Sequence, residues 1–224
     1  MPPFYFGIAA VMFQNHMMLG QFRRLPWVVA LTFFAIYAAT MGSGVTANNL
    51  PLVANLAGWE SAPLVGQPLV WLLTLPLHVL PTGWLALTLK LLAAALAAAI
   101  LGVLTRTVEL LPWDHPWKTA RHFAFVVPVL VAAAVCGLEF NFWQQATSSI
   151  GDLLDLLFLA AAGWLLLEYN VRRQEAWLNA AVVVWGLGMS ENWLMWLTLP
   201  MFIAALVWLK RLEFFPRKFL LRTA

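Results

Sequence analysis

The sequence predicts an all-α fold: a polytopic helical membrane protein of about six transmembrane helices plus one re-entrant or interfacial segment. Three observations predict it. Of the 224 residues, 62% are hydrophobic and only 10% charged, whereas a soluble domain is roughly half apolar and a quarter charged. Several apolar windows reach the ~20 residues that a helix needs to cross a bilayer. These windows run continuously and do not alternate apolar with polar residues, so the strands of a membrane β-barrel are excluded.

The elements follow in order. Residues 1–25 form an N-terminal interfacial segment, 26–212 the membrane domain and 213–224 a cytoplasmic tail. The apolar stretch from Pro2 to Phe22 is too short to span and ends at Arg23 and Arg24. It has no positive n-region and no clear cleavage site, which argues against a secretory signal; Met17 or Met18 would begin a more conventional membrane protein. The first span covers Trp27 to Met41, and the polar loop "GSGVTANNLPLVANLAGWES" follows it. "PLVWLLTLPLHVLP" comes next, bounded by Pro68 and Pro81 and interrupted by Pro76. An interior proline removes a helix hydrogen bond, so this piece is predicted to re-enter or to lie on the surface. Further spans are predicted over Trp84–Leu104, Phe123–Phe140, Leu153–Leu167, Leu178–Gly188 and Leu194–Leu209.

Charge placement supports the count of six. Arg23 and Arg24, then Arg106, Lys118 and Arg121, then Arg172 and Arg173, then Lys210, Arg211, Arg217, Lys218 and Arg222 all fall on one side. Lysine and arginine collect in cytoplasmic loops, so both termini are predicted to be cytoplasmic, in an inner (plasma) membrane. The net charge of +3 and pI near 9.4 are explained by this topology, and nothing else in the sequence supports a nucleic-acid partner. Lys90, inside the second span, is the exception. The other side carries three polar turns: the first loop with Asn48, Asn49 and Glu60; "GLEFNFWQQATSSIGDLLDLL" from Gly137 to Leu157; and Ser190, Glu191 and Asn192. Trp59, Trp84, Trp143 and Trp193 flank that face, as an aromatic belt would. Cys136 is the single cysteine, so neither an intrachain disulfide nor a cysteine-based metal site is available.

Candidate chemistry is confined to the polar side. Asp152 and Asp155 share one helical face by their i, i+3 spacing. Capping explains an acid at Asp152, where the helix dipole favours it. It explains Asp155 less well, because Asp155 lies one turn deeper, and an acid within the bilayer costs roughly 2.5–3.5 kcal/mol on insertion scales and faces a cavity or a partner. Glu139 is either a surface acid or part of the same cluster. Glu60 and Glu191 read as either solvated turn acids or site residues. His78 is a lone histidine, which packing or an interfacial position explains more simply than metal ligation. Lys90 either snorkels or faces inward, there to pair with an acid such as Asp155 or with a phosphate. Glu168 and Arg172 form a helical i, i+4 pair. No P-loop, GxSxG, HExxH or CxxC motif is present.

The segments "FWQQATSSIGDLLDLLFLAAAGWLLLEYN" and "AWLNAAVVVWGLGMSENWLMWLTLPMFIAALVWLKRLEFF", with the Pro-rich "APLVGQPLVWLLTLPLHVLP" and the Ala/Leu-rich "LALTLKLLAAALAAAILGVLTR" before them, resemble the transmembrane-protein-260-like family, which is related to protein O-mannosyltransferases. The likeness runs from about Trp27 to the end. Phe142-Trp143 and "GLGMSENW" are its best anchors. The resemblance implies a GT-C-like membrane glycosyltransferase, or its N-terminal module. Such an enzyme takes a sugar from a polyprenyl-phosphate donor among the membrane lipids and passes it to a protein or glycan acceptor on the extracytoplasmic face.

On that reading the catalytic candidates are Asp152, Glu60, Asp155 and Glu191. The substrate-binding candidates are Asn49, Gln144, Gln145, Asn192, Lys90 and His78. The resemblance implies no certain cofactor and no assigned metal ligand, and it is compatible with a divalent cation. One departure stands out. Many relatives carry a Gly-Asp-Ser-Gly-Glu-like motif in the first outer loop, where this chain reads "VTANNLPLV" with Asn49 near the acid position. An amide is no general base, so Glu60 or Asp152 takes that role, or the chain is a non-catalytic module that binds a lipid carrier or partner protein. A small transporter is a third reading; it would place acids near mid-membrane in an internal repeat, and no convincing repeat is seen.

Overall fold

A computed structural model describes residues 24–42, 44–59, 67–111, 123–148 and 150–210. The described residues are helical, with no strand among them. The helices are α1 (Leu25–Thr40), α2 (Leu50–Leu56), α3 (Pro68–Thr74), α4 (Thr82–Leu110), α5 (Phe123–Leu138), α6 (Phe140–Ala146), α7 (Gly151–Arg172), α8 (Glu175–Glu191), α9 (Leu194–Leu197) and α10 (Leu199–Lys210). The N-terminal segment, Glu60 and the C-terminal tail singled out above lie outside the described residues.

Helix α4 is the axis of the molecule. Its 29 residues reach about 44 Å at 1.5 Å per residue. Among the described residues it is the one unbroken helix long and apolar enough to cross a membrane. Its packing follows from its small residues. Ala93, Ala94, Ala97 and Ala98 are buried, and α1, α5 and α7 all pack against this helix. At Gly102 a Cβ would lie 3.2 Å from the Pro26 carbonyl oxygen and 3.3 Å from the Ala30 Cβ, so glycine there sets how closely α1 approaches. Leu85, Leu89, Ile100 and Leu101 join Val29, Phe33 and Tyr37 of α1 and Leu153 and Leu154 of α7 in the main core. A second cluster, with Ala162, Trp185, Met195 and Phe202, joins α7 to α8, α9 and α10.

Each of the six predicted spans has a helix at its place: α1, α4, α5, α7, α8 and α10. Their lengths and breaks differ from the prediction. α1 and α10 are apolar but have only 16 and 12 residues. The predicted span through Phe140 is broken at Glu139, where α5 and α6 meet at a bend of 70°. The reason is local. Glu139 accepts from the Asn141 N–H at 3.1 Å and the Phe142 N–H at 2.8 Å and so starts a new helix as a side-chain cap. These two bonds, the one from Phe142 foremost, hold its carboxyl below the usual carboxylate range. The proline-bounded segment is a seven-residue helix that tightens into a 3-10 turn over Leu75–Val79, around Pro76.

The outward faces are apolar. Trp27, Val131, Val135, Met201 and Trp208 are all more than half exposed. Charge is concentrated instead between helices at one end. Arg106 bridges Glu109 (3.0 Å) and Glu168 (2.9 Å), Arg172 meets Glu168 at 2.7 Å, and Lys210 meets Glu175 at 3.0 Å. The Arg172 guanidinium also sits 5.0 Å above the Trp177 ring. The expected Glu168–Arg172 pair is therefore one part of a larger network.

Candidate functional site

At the other end of α4, a cavity of about 190 Å³ opens between the first loop, the start of α3 and the turn into α7. Its polar lining is Asn48, Asn49, Gln67, Ser148 and Asp152, set against apolar walls that include Leu52, Val70 and Leu89. The first loop, the start of α3 and the turn into α7 supply these polar residues, and the turn at Glu191 braces α3 from behind.

The first loop is held from below. Lys90 is 2% exposed, and its ammonium donates to the Gly42 carbonyl at 2.7 Å and to the Gly44 carbonyl. Of the two orientations open to Lys90, the structure has the inward one, with backbone carbonyls as partners and not Asp155. An ammonium is a strong donor with no acceptor capacity, and the carbonyls just past the end of α1 are natural acceptors for it. Asn49, also 2% exposed, accepts from the Thr46 N–H at 2.8 Å. Its Nδ2 is buried without a hydrogen-bond partner. Asn48 reaches across to Ser148 at 3.4 Å.

The middle hairpin is held by aromatic packing. The Phe142 and Trp143 rings lie 6.4 and 5.9 Å from the Tyr37 ring, and the Tyr37 hydroxyl donates to the Gly137 carbonyl at 2.7 Å. This pins α6 to α1. Gln145, at the end of α6, donates through Nε2 to Asp152 Oδ2 at 3.0 Å, while its Oε1 is buried without a hydrogen-bond partner. Asp152 is exposed in the first turn of α7, where its charge complements the helix dipole. Gln144 is exposed, and its backbone carbonyl accepts from the Ser148 and Thr147 hydroxyls.

The third hairpin meets the others indirectly. Asn192 donates to Asp155, whose Oδ1 is buried without a hydrogen-bond partner, and accepts from the Leu194 N–H at 3.0 Å. Glu191 is 3% exposed, with both carboxylate oxygens on the backbone of α3: Leu69 N–H donates at 2.6 Å and Val70 N–H at 3.1 Å. Behind this turn, Trp185 stacks on Phe202 at 4.6 Å and donates to Thr198 at 3.0 Å.

Of the predicted site residues, Asn49 and Asp152 line one cavity and Gln145 touches it through Asp152. Asp155 and Asn192 form a separate pair. Glu191 lies behind the α3 wall, and Gln144 and Lys90 are not in the lining. His78 is exposed on the 3-10 turn, away from the lining. Asn48, Gln67 and Ser148 were not singled out as site residues. Asn48 and Ser148 stood within polar runs that signalled loops, and Gln67 stood before Pro68, a helix-start signal. Among the described residues, no three His, Cys, Asp or Glu side chains converge as metal ligands would.

Amides, a hydroxyl and one carboxylate form a lining that suits hydroxyl-rich ligands. Each amide offers both donor and acceptor, and the carboxylate offers a proton acceptor. Residues 52–214 match the family model described as the protein O-mannosyl-transferase TMEM260 N-terminal domain. No curated protein and no solved structure gives a match.

Proposed function

The chain belongs to the TMEM260 N-terminal-domain family of glycosyltransferase-related proteins, and on that premise we propose that it is a GT-C-like membrane glycosyltransferase module. It takes a sugar from a polyprenyl-phosphate donor and passes it to an acceptor hydroxyl on the extracytoplasmic face. The single observation that carries this reading is the cavity in which Asp152, oriented by Gln145, faces three carboxamides and a serine.

In this mechanism the acceptor hydroxyl attacks the anomeric carbon of the donor sugar, the Asp152 carboxylate takes its proton, and the lipid phosphate leaves with the bonding electron pair. Asn48, Asn49, Gln67 and Ser148 hold the sugar hydroxyls. The unpartnered Asn49 Nδ2 is the donor with most to gain, since a buried unpaired polar group is costly until it is met. Lys90 holds the first loop in place. The membrane arrangement fits the same picture. On this reading the arginine network faces the cytoplasm, the cavity opens on the outer face, and lipid solvates the exposed apolar faces.

A non-catalytic, carrier-binding module is the second reading. Asn49 favours it, because on the resemblance drawn from the sequence this amide stands near an acid position of the family, and an amide is no general base. Turnover separates the two. Purified chain in lipid nanodiscs is given polyprenyl-phosphate mannose and a serine/threonine-rich acceptor peptide. Glycosylated peptide supports the transferase; binding of the donor without any product supports the module.

A further inference from the structure

Glu191 carries charge into a site where it meets only backbone. The N–H groups of the first helical turn have no partner within the helix, and a side chain at the N-cap commonly satisfies one of them. In α3 the first residue, Pro68, has no N–H, and Gln67 at the N-cap makes no capping bond. Glu191, more than 120 positions along the chain, provides the cap. Its two oxygens take the N–H groups of Leu69 (2.6 Å) and Val70 (3.1 Å), as the dipole at a helix start favours.

Gln67, relieved of capping, lies instead over the start of α7. A Cβ added at Gly151 would fall 3.2 Å from Gln67 Nε2 and 3.5 Å from Oε1. Gln67 and Val70 line the cavity together with Gly151 and Asp152. The arrangement thus runs from a buried carboxylate, through the backbone of α3, to a side chain that shares the cavity with the proposed base.

We propose that Glu191 is a positioning residue: it fixes the α3 wall so that Gln67 stays packed over Gly151 in the cavity that Asp152 lines, and it does not touch substrate. The proposal rests on the reading of this cavity as the transfer site. Glu191 is absent from the cavity lining, and both of its oxygens are engaged by the backbone of α3, which suits it to holding the wall.

Two measurements on Glu191→Gln, Glu191→Ala and Gly151→Ala test it. The first is amide exchange at Leu69 and Val70 in nanodiscs. Glu191→Ala is expected to speed both amides by about tenfold or more, as loss of a charged acceptor implies. Glu191→Gln, which keeps one acceptor oxygen, is expected to restore part of the protection. The second is transfer from polyprenyl-phosphate mannose. Both Glu191 variants are expected to raise KM several-fold with kcat within about twofold of wild type, since a misplaced wall weakens binding and not the chemical step. Gly151→Ala displaces Gln67 directly and is expected to raise KM while leaving the Leu69 and Val70 amides protected. Unchanged exchange in Glu191→Ala overturns the proposal, as does a collapse of kcat in Glu191→Gln at unchanged KM. If wild-type chain transfers no sugar, the reading of the cavity fails, while the exchange measurement still decides whether Glu191 holds the wall.

Discussion

Gln145 donates its amide to Asp152 at 3.0 Å, joining the end of α6 to the first turn of α7 across the Thr147–Ser148 turn. The bond fixes one carboxylate oxygen of a residue that lines the cavity. Gln145 has no other role in the proposed chemistry, which makes it a clean test of orientation. Gln145→Leu is expected to lower kcat about tenfold, the worth of one hydrogen bond to a charged group, with little change in KM. Steady-state transfer kinetics check it.

Lys90 is the second test, because its ammonium is buried against carbonyls with no acid on it. Lys90→Met is expected to destabilise the chain by about 2 kcal/mol, through loss of charge-assisted bonds to Gly42 and Gly44. Thermal unfolding in detergent checks it. An unchanged midpoint would mean that desolvation of the ammonium cancels those bonds.

The charged network at the far end is expected to matter for stability alone. Glu168 is 2% exposed and holds both Arg106 and Arg172. Glu168→Ala leaves the largely buried Arg106 with Glu109 alone and Arg172 without its carboxylate, and is expected to cost about 3 kcal/mol. Sugar transfer measured well below the unfolding midpoint is expected to stay at the wild-type rate.

Glu139 gives the expected pH dependence. Its folded-state pKa is depressed by the Phe142 and Asn141 N–H bonds. The capping contribution is therefore complete above the unfolded value of about 4.3, and is lost as pH falls through the folded value. Trp143 emission, reporting on the start of α6, is expected to change over that acid window in wild type and to lose this step in Glu139→Gln.

Much of the helix layout was legible because long apolar windows, prolines and polar turns mark it directly. α4 and α1 were placed within a few residues from apolar content alone. The break at Glu139 was not, because composition treats the acid as one polar residue in an apolar run, whereas its effect is to satisfy two backbone donors. The same limit hid the role of Glu191. At its helix junction it reads as either a solvated turn acid or a site residue, but its partners are backbone N–H groups far away in sequence, which no side-chain pattern encodes. Lys90 was legible as an intramembrane cation that either snorkels or faces inward; the choice, and the pair of glycine carbonyls that decides it, were not. Gln67 escaped because a polar residue before Pro68 reads equally well as a cap, and only the packing over Gly151 shows that it is not one.

Asp152 is the group proposed to accept the proton of the acceptor hydroxyl. The most direct measurement is single-turnover transfer from polyprenyl-phosphate mannose by wild type and by Asp152→Asn, with donor binding followed in parallel. Asparagine is nearly isosteric and keeps a polar group opposite Gln145, but it cannot take a proton. The expected result is a fall in the transfer rate of about 10²-fold or more with donor affinity kept within a few-fold. Equal transfer rates for the two proteins would contradict the claim.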